Sequence, residues 1–144
     1  MSVETEIVHE ATDELVEAFA RLLPQLSSRA APLDHQAVGR LTDCDTNTLL
    51  VARIDGRIVG TLTLVVSPLP SGSRGHIEDV VVDADTRGHG VGKVLIDRAL
   101  RLAAAAGART VDLTSRPSRE AANRLYVRAG FQQRDSTVYR FTLE

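Results

Sequence analysis

Three glycines, Gly88, Gly90 and Gly92, fall within five positions of the segment "DTRGHGVGKVL" (85–95). Before them runs "HIEDVVV" (76–82), apolar and β-branched enough for a strand. After them Val91, Val94, Leu95, Ala99, Leu102 and Ala106 make one stripe at helical spacing, with Gly107 a fitting stop. A strand, a bare turn and a helix over Gly90–Ala106 leave few topologies open. With "RTVDLTS" (109–115) as the next strand, they form a β-α-β unit, expected to be parallel and right-handed. The turn also bounds the chemistry. Backbone N–H groups at a helix N-terminus converge on one point and the helix dipole reinforces them, which makes an anion site, most naturally for phosphate. The competing reading is that glycine merely permits a tight strand-to-helix turn.

The rest of the chain surrounds this unit with hairpins and short helices. Val3–His9 suits a first strand, and Leu15, Phe19, Leu22 and Leu23 mark a helix over Asp13–Leu23, with Pro24 just past it. Leu26–Asp34 is a Ser, Ala and Pro rich loop, and a second short helix is expected over about His35–Leu41. "TLLVARIDGRIVGTLTLVV" (48–66) is two β-rich runs around Asp55-Gly56, a strong hairpin signal. Ser118 is a candidate N-cap for "REAANRLYVRA" (119–129), which Gly130 ends, and "FQQR" (131–134) and "TVYRFTL" (137–143) suit two more strands. The expectation is an α/β fold in a single domain over residues 1–144. Its mixed, mostly antiparallel sheet would have six to seven strands, flanked by about four helices around a central parallel β-α-β unit.

Composition removes several function classes. A formal charge of -2 over 144 residues gives no global reason to bind nucleic acid or an anionic membrane. The start "MSVETEIVHE" has neither the cationic nor the apolar part of a signal peptide, and no apolar run approaches the roughly 20 residues that span a bilayer. A cytoplasmic protein is expected. Cys44 is the one cysteine, in the polar segment "LTDCDTN", so neither a disulfide framework nor a nucleophilic role is expected of it. Lysine occurs once, at Lys93, while arginine abounds and the helices are alanine-rich, a bias that looks like a GC-rich bacterial genome. The four histidines and scattered acids show no metal-ligand spacing, so no metal is expected.

Two familiar phosphate loops can be tested against the spacing. A Walker-type loop needs Ser or Thr after its Gly-Lys; here Gly92-Lys93 is followed by Val94, and Arg87 stands where the first glycine belongs. A dinucleotide fingerprint starting at Gly88 would need its third glycine where Lys93 is, although Asp112 lies where a ribose-binding acid is expected. That near miss comes late in the chain, with too few residues left for the rest of a doubly wound fold.

The spacing that fits is Arg87-x-x-Gly90-x-Gly92, a basic residue ahead of a loop whose amides face a pyrophosphate. In this the sequence resembles the GNAT N-acetyltransferase superfamily, whose acetyl-CoA loop has Gln or Arg, then Gly three positions on, then Gly or Ala two further. "IEDVVVDADTRGHGVGKVLIDRAL" looks like that family's strand, loop and helix, and "SREAANRLYVRAGF" like its next helix, ending N-x-x-Y-x-x-x-G-F. The resemblance covers roughly Leu49 to Leu143, about two thirds of the chain.

The resemblance implies a mechanism and assigns residues to it. The pantetheine arm of acetyl-CoA would lie along the strand before the loop, against the main chain of Val80, Val81 and Val82, in the manner of an added strand. Amides from Gly88 through His89, Gly90, Val91 and Gly92 to Lys93 would hold the pyrophosphate, with Arg87 as the basic residue. An amide near Val82 would meet the thioester oxygen. Tyr126 matches the tyrosine that protonates the departing sulfur, although Ala122, Leu125, Tyr126 and Ala129 also sit at core spacing; Asn123 would bond the pantetheine arm or else be a solvated helix residue. For the base, Glu78 comes first, then Asp79, then His76. Strict alternation puts His76, Glu78, Val80 and Val82 on one face and buries Asp79 with Ile77 and Val81, so a bulge, a feature of the family, is expected here. Arg116, Arg119 and Arg124 would meet the 3'-phosphate or merely solvate a helix face, and His89 would touch phosphate or stand exposed in its loop.

The activity implied is acetyl-CoA-dependent N-acetylation of a primary amine on a small molecule of the aminosugar, amino acid or polyamine class. "GHIEDVVV" is similar to glucosamine-phosphate N-acetyltransferases of the same superfamily. The region Leu26–Asp45 and "STVYRFTL" would wall the acceptor pocket, and by family habit a homodimer would form through the late strands. A protein N-acetyltransferase and a non-catalytic acyl-CoA sensor are the alternatives; Tyr126 and the acids of the preceding strand argue against the sensor, because a pure binder needs only the loop.

Overall fold

The computed structural model describes residues 2–144, in two compact units, 2–114 and 115–144. The first runs β1 (Val3–Val8), α1 (Asp13–Leu26), α2 (His35–Thr42), β2 (Asn47–Ile54), β3 (Arg57–Ser67), β4 (Arg74–Val82), a 3-10 turn (Ala84–Thr86), α3 (Val91–Ala105) and β5 (Val111–Asp112). The second holds α4 (Glu120–Ala129).

Local chemistry explains most boundaries. Thr12 and Asp34 cap α1 and α2 by accepting from the amides of Leu15 and Ala37. Helix α1 runs past its expected end at Leu23, with Pro24 inside its last turn. The hairpin forms as expected: Asp55 and Gly56, at φ 51° and 80°, make a two-residue turn between Ile54 and Arg57.

The sheet order is β1-β2-β3-β4-β5, antiparallel except for the parallel β4–β5 pair. One face carries α3. There Gly60 on β3 admits the helix closely, since a Cβ built on it would lie 2.9 Å from Val91 Cγ1 and 3.2 Å from Leu95 Cδ1. On the other face Leu15, Phe19 and Leu22 of α1 and Val38 of α2 bury themselves against Leu49, Val51, Ile58 and Val81. At roughly 25 cal/mol per Å² of apolar surface, these two layers carry most of the folding drive.

The six to seven strands expected are not matched: among the described residues five form. The β-α-β unit is parallel but lies at the sheet edge, because β5 is two residues long and is the last strand in the order. Residues 131–144, expected as two strands, carry no regular structure. Val138, Tyr139, Phe141 and Leu143 are 70–91% exposed there. Their β-propensity is a preference for a half-buried pleated surface, and an unburied segment does not realise it. Ser118 is likewise not the cap of α4; Arg119 holds that position, without a side-chain cap bond. Among the described residues no helix is long and apolar enough to cross a membrane.

Candidate active site

Strand β4 departs from regular alternation where the sequence puts its acids. Thr61 pairs with Val81 and Thr63 with Glu78, so Asp79 and Val80 together oppose Leu62. This is a bulge, and Asp79 absorbs it at φ 51°. The bulge corrects the face assignment made by strict alternation. Glu78 shares the α1 and α2 face with Val81, Thr61 and Thr63, whereas Val82, opposite Gly60, lies on the α3 face with Ile77. Asp79 escapes burial: both it and Glu78 are exposed, while Val80 and Val82 are half-buried and Val81 is buried.

Beyond the bulge, β4 is open on one side. Its parallel partner β5 reaches only Gly75 and His76, so among the described strands none pairs with Ile77–Val82 on that edge. The two strands part after His76, and along the valines that follow, this edge can pair with an added extended ligand.

The glycine turn follows directly. Arg87, Gly88, His89 and Gly90 are exposed, Gly88 and Gly90 have φ 88° and 76°, and a Cβ built on either meets nothing within 4 Å. Gly90 is the N-cap of α3 and gives it no side-chain bond; the first turn holds no acid, and the first backbone bond runs from the Val94 amide to the Gly90 carbonyl at 3.1 Å. The amides of Val91, Gly92 and Lys93 therefore leave the helix end without a helical acceptor. Helices α1 and α2 are capped by side-chain oxygens; α3 keeps its positive end bare. The Lys93 ammonium turns back to Asp97 Oδ2 at 2.6 Å.

One group of residues that the sequence did not reveal holds this turn in place. Asp83, 5% exposed, ends β4 with its amide on the Val59 carbonyl (2.8 Å). Its Oδ1 accepts from the Asp85 amide (3.2 Å) and its Oδ2 from Arg21 Nη1 (2.9 Å), while Arg21 Nη2 donates to the Ile58 carbonyl (2.9 Å). One turn along α1, Gln25 Oε1 accepts from the Ala84 amide at 2.9 Å. Burial pushes the Asp83 carboxyl up, but the Asp85 amide, Gln25 and Arg21 outweigh it and hold the carboxyl below its ordinary value. Arg21 and Gln25 share a helix face by their i, i+4 spacing; no sequence signal joins them to Asp83.

A cavity of about 50 Å³ opens beside Asp79, between Thr61 and Thr63 of β3 and side chains of α1, α2 and the loop joining them. A larger one, about 230 Å³, borders Glu6, Glu14 and Arg53, whose guanidinium is already taken by both carboxylates and the Gly56 carbonyl.

In the second unit, Tyr126 is the buried residue of α4, 7% exposed, with Phe131 edge-on at a ring separation of 6.0 Å. Burial raises its phenol above the ordinary value, and Arg119 opposes this in part. Asn123, half-buried, donates through Nδ2 to the Arg116 carbonyl at 3.0 Å, and Gly130 closes the helix at φ 107°. Arg116, Arg119 and Arg124 are exposed.

Comparison with known proteins bears on the family. Residues 9–131 match the profile of the acetyltransferase (GNAT) family. The chain is 35% identical over 141 residues to "Probable glucosamine 6-phosphate N-acetyltransferase 2" of Oryza sativa subsp. japonica, covering 87% of this chain and 80% of that one. It is 39% identical over 77 residues to glucosamine 6-phosphate N-acetyltransferase of Trypanosoma brucei brucei, covering 48% of this chain and only about half, 52%, of that relative. The crystal structure of a Trypanosoma brucei acetyltransferase superposes with a TM-score of 0.78 at 28% identity, over 98% of this chain and 100% of that one. A bulged strand, an open strand edge and a bare helix end following one another, within a family match of this extent, lead to one conclusion: the chain belongs to the GNAT acetyltransferase family.

Proposed function

We propose that this chain is an acetyl-CoA-dependent N-acetyltransferase acting on a small primary amine, as one domain over residues 1–144. The observation that carries the reading is the open edge of β4 leading straight into the uncapped end of α3. Pantetheine adds along Val80–Val82 as an extended chain, and the diphosphate meets the amides of Gly88–Lys93, where open space beside Gly88 and Gly90 suits the approach of phosphate to main chain.

The reaction is direct transfer. The amine nitrogen attacks the thioester carbonyl, the new C–N bond forms as the C–S bond breaks, and the amide and CoA thiol leave. An ammonium cannot attack, so Glu78, exposed on the α1 and α2 face, takes its proton directly or through water, and Asp79 beside it attracts the ammonium. Tyr126, its phenol raised by burial, holds a proton at neutral pH to give to the departing sulfur. A main-chain amide near Val82 stabilises the oxyanion, a contribution of about 3–4 kcal/mol for a well-placed donor. Asn123 supports the pantetheine arm.

The relatives named as glucosamine 6-phosphate N-acetyltransferases make an aminosugar one candidate acceptor. A thiol-release assay with acetyl-CoA and a panel of primary amines tests the reading: release on one amine class supports it, and binding of acetyl-CoA without release on any amine favours the sensor.

A further inference from the structure

Asp79 is the one charged group on the small cavity, and everything else around it is apolar or a threonine. Phe19 and Leu23 of α1, Leu33 of the following loop and Leu41 of α2 form the wall facing it. No lysine or arginine lines the space. Thr61 has already committed its hydroxyl, donating to the Leu50 carbonyl at 3.0 Å, which leaves Thr63 as the uncommitted hydroxyl. A phosphate is recognised by guanidinium, ammonium or clustered N–H donors. Here it would meet hydrocarbon on one side and a carboxylate on the other, where like charges repel. An alkyl ammonium meets the reverse: an anion for its nitrogen and hydrocarbon for its body. The bulge fixes Asp79 where cavity and strand β4 join, next to Glu78.

Resting on the N-acetyltransferase reading above, we infer that the acceptor is a short primary amine with an apolar body. Its nitrogen lies at Asp79 and its hydrocarbon in the cavity, and neither a phosphate nor a carboxylate adjoins the nitrogen. The size follows from the volume. About 50 Å³ corresponds to a few water-sized groups of roughly 10–15 Å³ each, which suits a short alkyl body. The cavity lies in the region where the sequence suggested an acceptor wall, through Leu33 and Leu41, and it narrows the acceptor in a direction that the named relatives do not.

The test compares 3-methylbutylamine with glucosamine 6-phosphate as acceptors for the intact protein, by initial rates of thiol release from acetyl-CoA. The expected result is a kcat/KM for 3-methylbutylamine at least about tenfold higher, the scale on which hydrophobic pockets discriminate. A Leu41→Lys variant, at a position 36% exposed and so tolerant of the change, places a cation on the wall. It should raise the KM for 3-methylbutylamine about tenfold while calorimetry finds the Kd of acetyl-CoA unchanged. Preference for glucosamine 6-phosphate overturns the inference but leaves N-acetyl transfer standing. Release from neither amine overturns it as well, and if no other amine of a wider panel releases thiol, the N-acetyltransferase reading falls with it.

Discussion

Arg21 on α1 and Asp83 at the foot of the glycine turn stand 62 residues apart in sequence and meet at 2.9 Å, Nη1 to Oδ2. With Arg21 also on the Ile58 carbonyl and Gln25 on the Ala84 amide, one face of α1 anchors the start of the loop. Arg21→Met leaves the buried Asp83 carboxylate short of a partner. The expected loss of stability is about 1–3 kcal/mol, toward the low end because the Arg21 side chain is 21% exposed and partly screened. Urea unfolding reads that loss. Because the pair fixes the turn rather than the reacting atoms, the KM for acetyl-CoA should rise several-fold with kcat nearly unchanged; equal falls in kcat and kcat/KM, with KM unchanged, would place Arg21 elsewhere in the mechanism.

The same carboxyl makes stability pH-dependent with a definite sign. Asp83 is held below its ordinary value of 3.8 in the folded protein, so its contribution is complete above that value and is lost as the pH falls through the lowered one. The stability gap between the parent and Asp83→Asn should therefore be constant from pH 7 to about 5 and shrink in stronger acid. Urea titrations at each pH check it, and a gap that widened toward low pH would contradict the assignment.

Gly90→Val forces a β-branched residue to φ 76°, at a cost of about 1–2 kcal/mol or somewhat more. A Cβ built there meets nothing within 4 Å, so the cost lies in the backbone. The protein should stay folded by circular dichroism and lose acetyl-CoA binding. An affinity within a few-fold of the parent would mean that the diphosphate lies somewhere other than this turn.

Asp79→Gly separates fold from function. The residue already occupies a left-handed conformation at φ 51°, which glycine adopts freely, so relief of strain and the extra unfolded-state entropy of glycine, each up to about 1 kcal/mol, nearly cancel. Stability should hold to within about 0.5 kcal/mol while the KM for the amine rises. An unchanged KM would leave Asp79 with a backbone role alone.

Tyr126→Phe keeps the edge contact with Phe131 and removes the acid. Turnover should fall about 100-fold or more with the affinity for acetyl-CoA unaltered. In the parent, burial keeps the phenol above its ordinary value of 10, so loss of its proton should slow turnover only in a limb above pH 10, and that limb should vanish in the variant.

The parts legible in the sequence are those whose cause is local. The Asp55-Gly56 turn, the glycines of the loop and the Gly130 helix stop are each written in two or three adjacent residues, because the required backbone geometry belongs to those residues alone. The bulge was legible as a conflict, an acid where alternation demanded burial. Its register was not, since that depends on which residue of β3 lies opposite; Leu62 faces both Asp79 and Val80. The Arg21–Asp83 anchor and the cavity wall from Phe19 to Leu41 arise from chain closure over long separations, which leaves no periodic trace. The closing strands misled for the opposite reason: "TVYRFTL" has strand chemistry, but its side chains stay exposed without a neighbour to bury them.

The measurement that bears most directly on the central claim is calorimetric titration of the purified protein with acetyl-CoA, repeated on Gly90→Val. One molecule bound per chain, with binding lost in the variant, is the expected result. No binding by the parent, or equal binding by both proteins, would contradict a donor site formed by the open edge of β4 and the bare end of α3.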